Sequence, residues 1–240
     1  MSEENVGGMV TMTIDGRSGE FPADMTILEA ARSMGVEIPT LCYSEAVSQY
    51  GACRLCTVEI VRRGRSRYVI SCMHPVGPFE VRTDSAGIRD ARRTLVEFFL
   101  ARNPKSPELN ALYAKFGGTG KPPYTLASQF GETKCILCGL CVRVCAEVIG
   151  ASAVGFARRG MAKKVAAGMM RWSETCIGCG SCVYVCPTNA IAVADINSVP
   201  TGHVWKHEQD HRQCRTCASI HAQPEYFPDM QALTLRPEGE

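Results

Sequence analysis

Cys135-Ile136-Leu137-Cys138-Gly139-Leu140-Cys141-Val142-Arg143-Val144-Cys145 is repeated as Cys176-Ile177-Gly178-Cys179-Gly180-Ser181-Cys182-Val183-Tyr184-Val185-Cys186, followed by Pro187. Each copy reads C-x2-C-x2-C-x3-C, and every cysteine of the first lies 41 residues before its counterpart in the second. The stretch is therefore an internal duplication. Three cysteines two residues apart wrap one [4Fe–4S] cube in a tight loop whose amides point at the sulfides, while the fourth reaches the other cube. This logic assigns Cys135, Cys138, Cys141 and Cys186 to the first cube. Cys145, Cys176, Cys179 and Cys182 fall to the second. Structural zinc also uses CxxC pairs, but it joins them to a second pair or to histidines over a longer gap, not four cysteines within eleven residues.

Upstream lies a different set, Cys42-x10-Cys53-x2-Cys56-x15-Cys72. One tight pair and two distant members suit a [2Fe–2S] rhomb under a long loop. Gly51 and Ala52 are small enough to let the backbone approach the sulfides. The surrounding pattern reads as β-strands and a helix. Val10, Met12 and Ile14 alternate with threonines, and Asp15-Gly16 turns the chain toward Phe21. Thr26 caps a helix whose apolar face is Ile27, Leu28, Ala30, Ala31 and Met34, with Gly35 at its end. Thr57–Val61 and Tyr68–Ser71 read as strands about a basic turn at 62–67. Phe79–Thr83 reads as a last strand. Hairpin, helix, cluster loop and further strands are the order of a β-grasp ferredoxin fold, although the first cysteine gap is longer than the plant-type C-x4-C. Zinc or unrelated buried cysteines are the competing reading of this set.

Residues 88–101 predict a helix with Ile88, Ala91, Leu95, Phe98 and Phe99 inward and Arg89, Arg92 and Arg93 opposite. Ser106 and Pro107 open a second helix that stops at Gly117-Gly118. Gly117–Pro123 lacks the Walker spacing, and Pro122-Pro123 blocks a following helix, so it reads as a linker. Between the two cysteine runs, 153–156 and 164–166 read as a short hairpin. Arg158, Arg159, Lys163 and Lys164 around its turn read as a solvated basic tip.

The expected fold is α+β. A β-grasp [2Fe–2S] domain spans 9–84, a helical connector 85–131, a bacterial-type 2[4Fe–4S] domain 132–198 and a short Cys/His tail 199–240. In that tail four of the chain's five histidines crowd one CxxC. His207, His211, Cys214 and Cys217 are the candidate ligands of a zinc ion or of an additional cluster. A free CxxC with incidental histidines is the alternative.

Composition narrows the function. A net charge of +2 over 240 residues gives no nucleic-acid or anionic-membrane signature. No apolar run reaches the ~20 residues of a membrane span, and no secretory segment is evident at the start. Cysteines grouped as metal ligands suit a reducing, cytoplasmic compartment. No G-x-G-x-x-G after a strand and no catalytic triad is found, so no catalytic residue is expected in this chain.

The twelve cysteines of 42–186 and their order resemble the N-terminal part of the large iron–sulfur subunit of NADH:quinone oxidoreductase (complex I). They resemble equally the small diaphorase subunit of NAD-linked bidirectional hydrogenases and the front of [FeFe]-hydrogenases. The resemblance implies one [2Fe–2S] and two [4Fe–4S] clusters, and an electron-transfer subunit working between a flavin- and NAD(P)H-binding subunit and a second redox catalytic subunit. These relatives carry a further cluster held by H-x3-C-x2-C-x5-C. Residues 75–134 contain neither Cys nor His, so that cluster is expected to be absent. A diffusing ferredoxin and a zinc-based structural module are the other readings.

Overall fold

The computed structural model describes residues 8–124, 133–167, 176–191, 212–213 and 220–221. Two hairpins and a short central strand form a five-stranded mixed sheet, in the order β2 (Arg17–Pro22), β1 (Met9–Ile14), β5 (Glu80–Arg82), β3 (Thr57–Arg62) and β4 (Arg65–Ile70). β1 (Met9–Ile14) and β2 (Arg17–Pro22) pair antiparallel, with Ile14 opposite Arg17. Asp15 and Gly16 both take positive φ, 47° and 80°, which closes a two-residue turn matched to the strand twist. The Asp15 carboxylate accepts from the Thr83 N–H at 2.8 Å and its hydroxyl at 2.6 Å. This fastens the turn to the end of β5 (Glu80–Arg82), which runs parallel to β1 and antiparallel to β3 (Thr57–Arg62).

α1 (Ile27–Ser33) begins at a reciprocal cap. The Glu29 N–H donates to the Thr26 hydroxyl, and the Thr26 N–H donates to the Glu29 carboxylate at 2.8 Å. Its Ile27, Leu28, Ala30 and Ala31 join Met12, Ile14, Val58, Ile60 and Val81 in one buried core. The alternating residues of the sheet thus supply one apolar face and the helix the other.

The basic segment at 62–67 is not a turn. β3 continues to Arg62, β4 (Arg65–Ile70) starts at Arg65, and only Arg63-Gly64 bridges them. Both bridging residues sit at positive φ, 50° and 75°, so the hairpin closes in two residues and the flanking arginines stay on strands.

α2 (Ala86–Arg102) also departs from the expected stripe. Its buried face is Ile88, Arg92, Val96 and Leu100, a four-residue repeat, whereas Phe98 is half exposed. Arg92 goes inside because its Nε donates to the Leu55 carbonyl at 3.0 Å and its Nη2 to the Thr57 carbonyl at 2.9 Å. A buried guanidinium whose donors meet carbonyls escapes most of the burial penalty. The residual desolvation still lowers its pKa.

α3 (Pro107–Lys115) carries the expected Ser106 cap and first-turn proline. Together α2 and α3 form a wedge. Val96, Leu100, Leu109, Tyr113 and Phe116 share one core with Leu41, Val47 and Leu55 of the upstream cysteine loop, and with Leu140, Val144 and Val185 of the duplicated runs. In those runs α4 (Leu140–Arg143) passes into a π-helical turn, Val144–Val148, and α5 (Ser181–Tyr184) is the counterpart of α4 in the second copy. β6 (Val154–Ala157) and β7 (Lys164–Ala167) form the predicted hairpin between them. In the tail, β8 (Arg212–Gln213) pairs with β9 (Ile220–His221). No helix of the described residues is long and apolar enough to cross a membrane.

Candidate metal centres

The upstream four cysteines are drawn together at the edge of the sheet. Cys42 and Cys53 come from the loop after α1, Cys56 precedes β3, and Cys72 follows β4. All four are 2 % exposed or less. Two backbone amides already point at sulfur: the Cys53 N–H donates to Cys42 Sγ and the Leu41 N–H to Cys53 Sγ, both at 3.4 Å. Gly51 sits at φ 64°, and a Cβ there would stand 2.6 Å from Met73 Sδ, so the loop lies flat beneath Met73 only because that side chain is missing. The thiols work in pairs. A hydrogen bond from Cys53 lowers Cys42 to about 6, and one from Cys72 lowers Cys56 to about 7. The donating thiols, Cys53 and Cys72, are raised by the same bonds. Two sulfurs of the set are thus poised as thiolates, and a cluster's iron must displace the protons of the other two, Cys53 and Cys72.

Ser71 supplies the strongest local sign that a further group belongs here. It is fully buried, its N–H donates to the Cys56 carbonyl at 3.1 Å, and its carbonyl accepts from Leu28 at 3.1 Å. Its hydroxyl makes no hydrogen bond of normal geometry with protein. It stands on the Cys56 side, where it favours that sulfur's ionised form. A buried hydroxyl left short of a well-aligned acceptor costs up to about 1–3 kcal/mol, so a better acceptor is expected from the group the cysteines hold. Ser71→Ala is therefore expected to be neutral or stabilising in the metal-free chain. In the loaded chain it should make the centre about tenfold harder to reduce, about 59 mV for one electron. Redox titration followed by electron paramagnetic resonance measures this, and an unchanged potential would show that the hydroxyl donates elsewhere.

The two duplicated runs enclose two cavities. Cys135, Cys138, Cys141 and Cys186 line one of about 370 Å³. Cys145, Cys176, Cys179 and Cys182 line a second, narrower one. Each cavity thus collects three cysteines of one copy and the fourth of the other. The duplication is conformational as well: Gly139 and Gly180 both sit at φ 77°, and Leu137 and Gly178 at 58° and 68°. These left-handed residues turn successive amides inward. The Leu137 N–H reaches Cys135 Sγ at 3.4 Å, the Ala190 N–H reaches Cys186 Sγ at 3.1 Å, and the Ala153 N–H reaches Cys145 Sγ at 3.2 Å. Burial pushes the Cys141 thiol up to about 12 and also raises Cys138 and Cys182.

What sequence reasoning missed is the junction between the two kinds of site. Arg143, inside the first run, is buried. Its Nη2 donates to the Cys42 carbonyl at 2.6 Å and its Nη1 to the Ser48 carbonyl, while its guanidinium stands 5.3 Å from the Tyr50 ring centre. Glu147, one turn on, accepts from the Ser48 N–H at 2.5 Å and from its hydroxyl at 2.7 Å. Tyr50 stacks on Phe156 of β6 at 6.2 Å. Ser48 and Tyr50 both belong to the unusually long Cys42–Cys53 gap. That gap, which departed from plant-type spacing, is the surface on which the duplicated region docks.

His207, His211, Cys214 and Cys217 lie outside the described residues. The β8–β9 pairing brackets the segment that contains the two cysteines.

Residues 7–85 match the family described as a 2Fe-2S iron-sulfur cluster binding domain, and residues 134–190 a 4Fe-4S dicluster domain. The chain is 35 % identical over 212 residues to the NADP-reducing hydrogenase subunit HndD of Solidesulfovibrio fructosivorans, covering 76 % of this chain and 36 % of that one. It is 29 % identical over 205 residues to the NADH-ubiquinone oxidoreductase 75 kDa subunit of Reclinomonas americana, covering 76 % and 29 %. The chain thus spans about a third of these relatives' length. Among solved structures, a chain from the NAD+-reducing [NiFe]-hydrogenase in the H2-reduced state superposes with a TM-score of 0.54 at 33 % identity, covering 66 % of this chain and 75 % of that one.

Proposed function

Because this chain belongs to the iron–sulfur family that includes subunits of NAD-linked hydrogenases and the large iron–sulfur subunit of NADH:quinone oxidoreductase, we propose that it is the electron-transfer subunit of a multisubunit NAD(P)H-linked oxidoreductase. It works between a flavoprotein partner and a second redox catalytic subunit, in the cytoplasm. In this reading Cys42, Cys53, Cys56 and Cys72 hold a [2Fe–2S] cluster. Cys135, Cys138, Cys141 and Cys186 hold one [4Fe–4S] cluster, and Cys145, Cys176, Cys179 and Cys182 the other. When bound, such clusters supply one-electron outer-sphere transfer. The chain's own residues exclude water, aim amide N–H groups at sulfur, and hold the three sites in one packed body.

The observation that carries the reading is the junction: the carbonyl of a [2Fe–2S] cysteine, Cys42, is bonded by an arginine from within a cube-binding run. Two metal sites fastened ligand loop to ligand loop make a conducting path, because electron exchange falls steeply with distance. Iron, acid-labile sulfide and zinc per anaerobically purified chain test it. About ten irons are expected. Ten with about one zinc assigns zinc to His207, His211, Cys214 and Cys217, and about fourteen assigns them a further cluster. Little iron with several zincs overturns the proposal.

The raised thiols add a pH dependence. In the metal-free protein, burial keeps Cys138, Cys141 and Cys182 protonated at neutral pH, and iron binding must release those protons. Binding is therefore expected to strengthen as pH rises and weaken as it falls. At limiting iron and sulfide, the fraction of chains loaded, read from visible absorbance, should drop between about pH 8.5 and about pH 6.5. A flat profile would mean these thiols are already ionised.

A further inference from the structure

We infer that the groove between β4 and the Met73–Pro75 turn is the port at which a redox partner with a carboxylate-rich surface docks. The inference rests on the electron-relay reading above. The groove is a cavity of about 490 Å³, and its walls include Arg54, Thr57 and Met73. These are the residues that directly follow Cys53, Cys56 and Cys72. The cavity therefore lies on the outer side of the [2Fe–2S] ligand loop. The other side of that loop, at the Cys42 carbonyl, is covered by Arg143 and the duplicated region. Among the described residues, the groove side is the one of the two left open to a second protein.

Its chemistry selects the partner. Arg62, Arg63, Arg65 and Arg67 are exposed on the β3–β4 hairpin, and Arg54 is exposed beside them. Among the described residues none of the five is ion-paired to a carboxylate. Arg65 and Arg67 share one face of β4 with Val69, while Tyr68 and Ile70 take the other; because β4 is an edge strand, the cavity is lined across that edge from both faces. Arg67 is held at its rim by His74, Nη2 to Nε2 at 3.3 Å. The hairpin's one carboxylate, Glu59, is half-buried opposite Tyr68. Across the strand edge from these arginines, Tyr68 and Met73 are 54 % and 47 % exposed. An apolar, aromatic centre within a charged rim is the anatomy of a transient protein interface. The whole chain carries a net charge of only +2, so five local arginines constitute a directed field. The bland alternative is that the arginines only protect β4, an edge strand, from pairing with other sheets.

The test uses the cluster-loaded chain, with an acidic flavodoxin as probe and a basic cytochrome c as counter-probe. Binding is measured by calorimetry, and the footprint by hydrogen exchange. The flavodoxin is expected to protect the segment 65–75 and to bind at least tenfold more weakly when salt rises from about 0.05 to about 0.3 M. The double variant Arg65→Glu/Arg67→Glu should weaken it at least tenfold and strengthen cytochrome c. Arg17→Glu, on the opposite edge strand β2, should change it less than twofold. Flavodoxin binding that ignores the double variant, or the double variant self-associating with no change in affinity, overturns the port. Iron content and the [2Fe–2S] paramagnetic signal are recorded on every sample. A loaded chain that fails to bind loses the port but keeps the relay, whereas a chain without clusters loses both.

Discussion

Arg143→Ala is expected to split the unfolding of the loaded protein into two transitions, one for the sheet domain and one for the duplicated region. The guanidinium bonds the carbonyls of Cys42 and Ser48 and faces Tyr50. Removing it takes the donor from the buried Cys42 carbonyl and from the part-buried Ser48 carbonyl, at a cost of about 1–3 kcal/mol each, and takes away the charge-assisted half of the interface. A loss of about 3 kcal/mol or more is a large fraction of a domain's stability. Anaerobic scanning calorimetry reads this directly. Arg143→Lys should recover part of the loss, because an ammonium can reach one carbonyl but lacks the planar fork that bonds two. A single unshifted transition in the alanine variant would show that the α2–α3 wedge alone joins the domains.

The second large effect concerns the crossing of ligands. Cys186→Ala is expected to remove about four irons, the contents of the site otherwise lined by Cys135, Cys138 and Cys141. Combined with Cys138→Ala, it should remove no more than either change alone, because both strike one site. Combined with Cys179→Ala, it should remove about eight, because the two strike different sites. The opposite pattern of additivity would place Cys186 with its sequence neighbours and overturn the crossed assignment. Iron analysis, with the paramagnetic spectra of the remaining centres, distinguishes the two.

The metal chemistry was legible in the primary sequence because it is carried by spacing. A tight loop around a compact centre leaves only a few residues between ligands, so C-x2-C-x2-C-x3-C, its duplication and the lone CxxC with two distant cysteines needed no fold to be noticed. Turns and caps were equally local. Asp15-Gly16, the Thr26 cap and the Ser106-Pro107 start each depend on neighbours within four residues, which is the reach of backbone hydrogen bonding.

Tertiary structure decided what depends on residues far apart in the chain. Periodicity put Arg92 on the solvent face and Phe98 inside. The structure reverses both, because the Leu55 and Thr57 carbonyls lie where the guanidinium can reach them. Nothing near Arg143 in the sequence announces that it will bond the carbonyl of Cys42, 101 residues away. Ser71 reads as one more strand residue until burial leaves its hydroxyl facing the Cys56 sulfur without a hydrogen bond of normal geometry. In each case a polar side chain is placed by a partner the sequence does not put beside it. Ligand spacing is a property of a short loop and can be read from the chain alone. The satisfaction of a buried polar group is a property of the whole packed interior, and only the fold reveals it.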